Sequence, residues 1–444
     1  MKQKKVCIIG LGYVGFPMAI ALTNVKEKKS FRYKVFGYDN NTKKIKNIIK
    51  SIKSRKLPFK SQDNDLIKKF KNSSIKNKIN ILEDIKDIQK MNIIILSVGF
   101  DFFGNKYSFK NLTKLVKKIS ENIKKGTLLL IETTLPPGTY EKILIPEIKK
   151  TIKKRGMKLD DIHLGYSHER IMPGKSYYNS IINNYKCYSG YNKISKNKVC
   201  NFLKSFINYK KFPLIELNTI TECETAKVLE NSYRAINIAL IDEWVNYSNL
   251  IKIDLLKVIK AIKVRPTHSN LMAPGLGVGG YCLPKDGLFA KKSSKIIYKK
   301  NISFPFIDLA SRINNKMPSS ALKFIESKKI KLNKKKILIM GTAYKENIDD
   351  ERLSPSITLI KKLIKKGSQI SKFDPMINKN KIPKFNKFDL VIFCVNHKKI
   401  KDISFKNYSK KPIYFDLNNV LDEKKINLMK KRKFKLFLLG RNYG

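Results

Sequence analysis

Residues 5–15 read KVCIIGLGYVG, and this stretch decides the fold. A short apolar strand, 5–9, runs into Gly10-Leu11-Gly12-Tyr13-Val14-Gly15, and an apolar helical run, 16–25, follows. A second strand, 33–38, ends at Asp39, 24 residues after Gly15. The first glycine makes the turn, the second lets backbone approach a pyrophosphate, and the third lets helix and strand pack closely. The helix N-terminus then favours the anion. A tight turn without a ligand is the competing reading, and the acid closing the second strand argues against it. Gly10, Gly12, Tyr13, Val14, Gly15 and Asp39 are therefore candidate cofactor contacts. Asp39 suits a ribose 2′-hydroxyl and repels a 2′-phosphate, so NAD is expected over NADP.

Strand and helix signals alternate onward from this unit. A Lys-rich helical stretch covers about 42–72, strands recur at 92–98 and 127–133, and a helix at 112–124 lies between them. Alternation to about residue 215 predicts a doubly wound parallel sheet. The polar turn 167–174 follows a strand at 162–166, and ligands in such sheets bind beyond strand C-termini, which places Glu169 well for chemistry. Residues 222–250 then form a long helical run without Gly or Pro. Lys227, Asn231 and Arg234 share one of its faces, although a solvated stripe would look the same. A further helix, 255–262, leads to Arg265. From Lys334 a second α/β unit begins, with strands at 336–340, 388–395 and 412–416 and a helix at 357–365. The expected fold is α/β: two Rossmann-like doubly wound domains joined by a central helical domain. The expected spans are 1–215, 216–315 and 316–444, with a cleft between the halves.

The helical piece contains the chain's most glycine-rich loop, GLGVGGYCLPKD at 275–286. Glycine serves where backbone must approach something closely or take a positive φ. The loop therefore reads as bare backbone presenting one thiol, Cys282, with Lys285 beside it to favour the thiolate. A surface loop with an incidental cysteine is the bland alternative.

Composition narrows the function classes. The 444 residues carry 93 Lys and Arg against 35 Asp and Glu, a net charge of +58. Such charge usually signals nucleic acid or an anionic membrane. Here Lys is spread over the whole chain without a dense basic tail, so no nucleic-acid partner is expected, and the charge would help attract a phosphorylated substrate. The six cysteines form no CxxC pair and the four histidines are scattered, which argues against zinc and against a disulfide scaffold, and for a reducing cytoplasm. The basic start followed by an apolar run resembles a secretory leader, but three glycines and Pro17 interrupt it. No run of 18 apolar residues exists, so no membrane insertion is expected.

Six motifs occur in order over nearly the full length: GxGxxG, ETTLPPGT (132–139), SxERxxPG (167–174), KxxxN (227–231), GGxCxxKD (279–286) and AYKxxxxDxR (343–352). Together they resemble the UDP-glucose/GDP-mannose dehydrogenase family. The resemblance implies oxidation of a nucleotide-sugar C6 alcohol to the uronic acid by two hydride transfers to NAD. It implies Cys282 as nucleophile and Lys227 as the cation steadying an oxyanion. Asn231 and Asp286 would hold an oxygen or a water, Glu169 would serve thioester hydrolysis, and Thr134 would position a water. Gly279, Gly280, Tyr344, Lys345 and Arg352 would contact the nucleotide sugar. Arg265 would reach the partner's site in a homodimer, and no metal is implied. The ERIMPG turn and the Glu230-Asn231-Ser232-Tyr233-Arg234 run resemble the branch acting on UDP-N-acetylmannosamine or UDP-N-acetylglucosamine. Arg170 or Arg234 could meet the N-acetyl group. UDP-glucose or GDP-mannose is the alternative, and the product would feed surface polysaccharide synthesis. The chain departs from the family pattern at His168, where Pro is usual, and at Val98-Gly99-Phe100, where Thr-Pro is usual.

Overall fold

In a computed structural model of the chain, residues 3–75, 77–100, 102–103, 106–378 and 381–441 are described. Two compact units form, Met1–Glu230 with Phe289–Ile302, and Asn231–Leu288 with Ser303–Gly444.

In the first unit β1 (Lys4–Ile9) leads to α1 (Gly15–Thr23) and β2 (Tyr33–Tyr38). Helices α2 (Thr42–Ser54) and α3 (Asn64–Ile75) precede β3 (Asn80–Ile81). The Lys-rich helical stretch expected over about 42–72 is thus made of two helices. Arg55, at φ 56°, ends the first of them, Pro58 follows, and the Asp63 carboxylate accepts from Leu66 N–H at the start of the second. Next come β4 (Ile93–Leu96), α4 (Lys110–Asn122), β5 (Leu128–Ile131), α5 (Ile145–Lys153) and β6 (His163–Tyr166). The unit continues through α6 (Tyr177–Ile182), β7 (Cys187–Gly190), α7 (Lys193–Lys204) and β8 (Ile215–Glu216).

The sheet order is β8-β7-β6-β5-β4-β1-β2-β3. Winding therefore reverses between β1 and β4, and such a switch point opens a crevice beyond the strand C-termini. Both faces are covered. Cys7 and Ile9 point into one apolar cluster, Val6 and Ile8 into the other, which is why these strands read as continuous apolar runs. The expectation of a wholly parallel sheet fails at one step, since β7 runs antiparallel to β6. The link between them carries only the short α6, which packs on α1 and α3, and an antiparallel neighbour needs no crossover.

The long helix α8 (Ile220–Ile251) has 32 residues, the first eleven in the first unit and the rest in the second. The second unit continues with α9 (Leu255–Ile262) and the glycine-rich loop. Helix α10 (Leu283–Ile296) begins there, and α11 (Pro305–Glu326) follows. A second sheet then forms from β9 (Lys336–Met340), β10 (Gln369–Phe373), β11 (Leu390–Phe393), β12 (Ile413–Asp416) and β13 (Leu436–Leu438). Its order is β10-β9-β11-β12-β13, all parallel. Helix α12 (Pro355–Lys365) is its first crossover. Here the switch point lies between β9 and β11.

Candidate functional site

At the first switch point the glycines divide their work. A Cβ on Gly15 would lie 2.0 Å from the Gly10 carbonyl oxygen, so this position is a packing requirement. A Cβ on Gly12 would meet nothing nearer than the Lys44 nitrogen at 3.9 Å, which leaves backbone open to an incoming phosphate. Tyr13 and Val14 are half-buried between them, with the Tyr13 ring 5.5 Å from Phe59. Asp39 stands just past β2. Its Oδ2 accepts from Leu11 N–H at 2.9 Å and from the Lys44 ammonium at 2.5 Å, and its Oδ1 from Asn41 N–H at 3.1 Å. Open backbone at a helix N-terminus and a fixed carboxylate after the second strand fit NAD. Lys44 had no distinguishing signal in a Lys-rich run.

Three side chains meet beyond the other strands of this sheet. Glu169, in the turn after β6, is buried and accepts from its neighbour Arg170 N–H at 2.7 Å. Its other oxygen accepts from the ammonium of Lys186, which is 3.3 Å from Glu132 Oε1. Lys186 is fully buried. Burial works against its charge, but Glu132 and Glu169 outweigh burial and raise its pKa. Burial raises the Glu132 carboxyl most; Lys186 pulls it back and Glu169 adds to the rise. Sequence reasoning found Glu169 and missed Lys186, which merely precedes an apolar strand. Thr134 is half-buried in the segment after β5.

The two departures have visible anchors. The buried His168 donates from Nδ1 to the Cys223 carbonyl of α8 at 3.1 Å, and Phe100 packs 5.5 Å from Phe109 and from Phe289. Arg170, a candidate for a substrate N-acetyl group, pairs with Glu230 at 2.9 Å and donates to the Tyr185 carbonyl at 2.6 Å. Helix α8 also carries the buried Lys227, one turn before Asn231.

In the second unit Cys282 stands at the start of α10, its carbonyl accepting from Lys285 N–H and Asp286 N–H. Cys282 is the exposed cysteine among the six. Aligned N–H groups at a helix N-terminus favour a thiolate. Lys285, expected to do this, turns its ammonium to Asp286 Oδ1 at 2.5 Å and lies 4.6 Å from the Tyr281 ring. The other oxygen of the buried Asp286 accepts from Asn231 Nδ2 at 2.7 Å. Cys282, Asn231 and Asp286 are thus held by one short network at the α8–α10 contact.

The glycines before Cys282 have a packing cause. A Cβ on Gly279 would lie 2.7 Å from the Leu353 oxygen and 2.8 Å from Tyr344 Cβ. Gly280 takes φ +81° with Tyr344 Cε2 2.6 Å from where its Cβ would be, and its N–H donates to the Arg352 carbonyl at 2.9 Å. The loop therefore lies directly on the segment after β9. Arg352 pairs with Asp350 through three contacts of 2.6–3.0 Å and stands 5.6 Å from the Tyr281 ring. Burial lowers the Lys345 ammonium, and the nearby Arg234 lowers it further. Two cations gathered at a strand end suit an anionic ligand. Arg265 is exposed after α9.

Among the described residues no group of three His, Cys, Asp or Glu could hold a metal ion, and no helix is long and apolar enough to cross a membrane.

Comparison with known proteins places this geometry. Three models of the UDP-glucose/GDP-mannose dehydrogenase family match: the NAD binding domain at residues 4–203, the central domain at 221–316 and the UDP binding domain at 338–423. The chain is 30% identical to a UDP-N-acetyl-D-mannosamine dehydrogenase of Methanococcus maripaludis strain C7, over 98% of this chain and 97% of that one. It is 29% identical to a UDP-N-acetyl-D-glucosamine 6-dehydrogenase of Pseudomonas aeruginosa, over 96% and 100%. The solved UDP-D-ManNAc dehydrogenase of Pyrococcus horikoshii superposes with a TM-score of 0.82 at 25% identity, covering 99% of both chains. With the dinucleotide turn, the cysteine loop and the second α/β sheet all in their places, the chain belongs to the UDP-glucose/GDP-mannose dehydrogenase family, NAD-dependent oxidoreductases of nucleotide sugars.

Proposed function

We propose that the enzyme oxidises C6 of UDP-N-acetylmannosamine or UDP-N-acetylglucosamine to the carboxylate. The exposed Cys282 at the α10 N-terminus, beside the Asn231–Asp286 pair, is the observation that carries the reaction type. The names of the curated relatives support the sugar class. Bound NAD⁺ supplies the acceptor for each of two hydrides. The C6 alcohol loses a hydride and a proton to become an aldehyde, and the Cys282 thiolate adds to its carbonyl carbon. Lys227 steadies the oxygen charge that develops, with Asn231 and Asp286 holding that oxygen or a water. Loss of the second hydride leaves a thioester. Glu169 takes a proton from a water positioned by Thr134. The water attacks the acyl carbon, the C–S bond breaks, and the thiol is restored with release of the uronate.

Residues 1–215 serve NAD, 216–315 the chemistry, and 316–444 the nucleotide sugar, through Tyr344, Lys345 and Arg352 with Gly279 and Gly280. We place the enzyme in the cytoplasm, its product a precursor for surface polysaccharide. A panel assay tests the sugar. Higher kcat/KM on the two N-acetylhexosamine substrates than on UDP-glucose or GDP-mannose is expected; if UDP-glucose wins under matched conditions, the sugar assignment is wrong while the Cys282 chemistry stands.

Asp39 offers a test of the cofactor turn. Asp39→Ala frees Lys44 from its carboxylate and removes the negative charge. The NAD⁺ over NADP⁺ preference in kcat/KM should fall by about tenfold or more. Asp39→Ala/Lys44→Ala should use NADP⁺ less well than Asp39→Ala. An unchanged preference would put Asp39 outside the ribose site.

The homodimer is proposed on α8. Tyr233, Leu240 and Tyr247 are exposed and recur every seven residues along it, a spacing that suits packing against a second helix. Arg265 would then reach the partner's site. Sedimentation should give a dimer for the wild type and a monomer for Tyr247→Glu; a monomeric wild type would end this assignment.

A further inference from the structure

The loop after β9 carries Tyr344 and Lys345, and it is clasped at both ends from neighbouring strands. Asp374, just past β10, accepts at Oδ2 from Thr342 N–H at 2.7 Å and Ala343 N–H at 2.9 Å. Its Oδ1 accepts from Met376 N–H and Ile377 N–H. His397, after β11, is 3.0 Å from the same Asp374 Oδ2 through Nε2, and its Nδ1 lies 2.9 Å from Asn347 N. Asn347 closes the loop in the left-handed region, at φ 58°, and its side-chain oxygen accepts from Lys398 N–H at 3.0 Å. Asp374 and His397 are fully buried.

This geometry assigns the protons. A backbone N–H can only donate, so Nδ1 of His397 holds a lone pair towards Asn347. Nε2 therefore carries the hydrogen and donates it to Asp374. The ring is neutral, in one tautomer, and each nitrogen is used. Burial alone would raise the Asp374 carboxyl; the His397 hydrogen bond and the Ala343 and Thr342 N–H groups act against it and hold it down. Asp374 fixes the start of the loop and His397 its end, with Tyr344 and Lys345 between.

We propose that His397 is a positioning residue for the nucleoside diphosphate part of the substrate. It sets the Thr342–Asn347 segment at the β9/β11 switch point so that Lys345 meets the diphosphate and Tyr344 backs the Gly279–Gly280 turn. The inference rests on reading Lys345 as a nucleotide-sugar contact, and its test separates the two claims. His397→Phe removes both hydrogen bonds. His397→Asn keeps an oxygen near the Nδ1 position and so an acceptor for Asn347 N–H.

With UDP as the probe in calorimetry, His397→Phe should weaken binding by about tenfold or more, and His397→Asn should recover part of the loss. KM for NAD⁺ should stay near wild type in both, which a general loosening of the fold would not allow. Equal weakening by the two variants, or a matching rise in KM for NAD⁺, would reduce His397 to a structural brace. Lys345→Ala is the control. Unchanged UDP binding in that variant overturns the reading of the loop, whereas weakened binding there with wild-type binding in His397→Phe overturns the positioning role alone. Should His397→Phe not fold, the wild type still decides. The chain has four histidines, so ¹⁵N-histidine labelling can resolve each ring. One ring held as the Nε2–H tautomer, shifting on addition of UDP, is expected. A charged ring, an Nδ1–H tautomer or no response to UDP contradicts the proposal.

Discussion

Replacing Cys282 with alanine is expected to cut uronate formation by about 10⁴-fold or more, the scale seen when a covalent nucleophile is removed. Without the thiol no acyl bond to the protein can form, and an aldehyde produced by the first hydride transfer has no route to a thioester. The wild type should yield two NADH per sugar and no free aldehyde, and the variant at most one. Changing any of the other five cysteines should not abolish turnover. Cys7, Cys187, Cys223 and Cys394 are buried and Cys200 is half-buried. Burial pushes the thiols of Cys7 and Cys394 up, which keeps them protonated and inert. Cys282→Ser should stall as an ester-like adduct, since an alkoxide leaves less readily than a thiolate. Acid formation by Cys282→Ala at a rate near wild type would sink the covalent route, and one NADH per sugar with aldehyde in solution would do the same for the wild type.

The second large effect is on stability. Lys186→Met should destabilise the protein by about 3–5 kcal/mol, the cost of breaking a buried ion pair and leaving its partner unpaired. Glu132 and Glu169 would then face each other out of water. One Glu132 oxygen, Oε2, already lacks a hydrogen-bond partner, and burial already raises this carboxyl. Glu132 is therefore the group to take up a proton. Lys186→Arg should restore most of the loss, because it keeps the charge. The double variant Lys186→Met/Glu132→Gln should be milder than Lys186→Met, because one of the two opposed charges is gone. Urea midpoints for the four proteins measure this. A loss below about 1 kcal/mol for Lys186→Met would mean the pair behaves like a surface salt bridge. Turnover should also fall in Lys186→Met, since Glu169 loses the ammonium that orients it.

Most of the fold was legible because its signals are local. The β1–Gly10–α1–β2–Asp39 pattern spans fewer than forty residues, and each part has its own period or its own glycine. The strand ends and the 32-residue α8 fell within a few residues of expectation for the same reason. The Lys-rich stretch was legible as helical, while its division into two helices at Arg55 and Pro58 was not read from it. The cysteine loop showed its glycines but not why they were needed. Tyr344, which forbids a side chain at Gly280, lies 64 positions further along the chain.

By itself the sequence determined the two α/β units, the long helix that follows the first of them, the dinucleotide turn and the family, and it singled out Cys282 as the candidate nucleophile. Only the tertiary structure decided which charges meet. Lys285 follows Cys282 by three residues in the chain, yet its ammonium goes to Asp286. Arg170 follows Glu169, yet it is committed to Glu230. The clearest case is Lys186. β7 runs antiparallel to β6, so its first residues lie at the edge where β5 and β6 end. That edge is where Glu132 and Glu169 stand, and a parallel β7 would have put Lys186 at the far side of the sheet. Periodicity reports which face of a strand is buried, but it carries no record of strand order or direction. The partners of a buried charge follow from that order, and the side chains that orient Glu169 and clasp the loop after β9 follow with it.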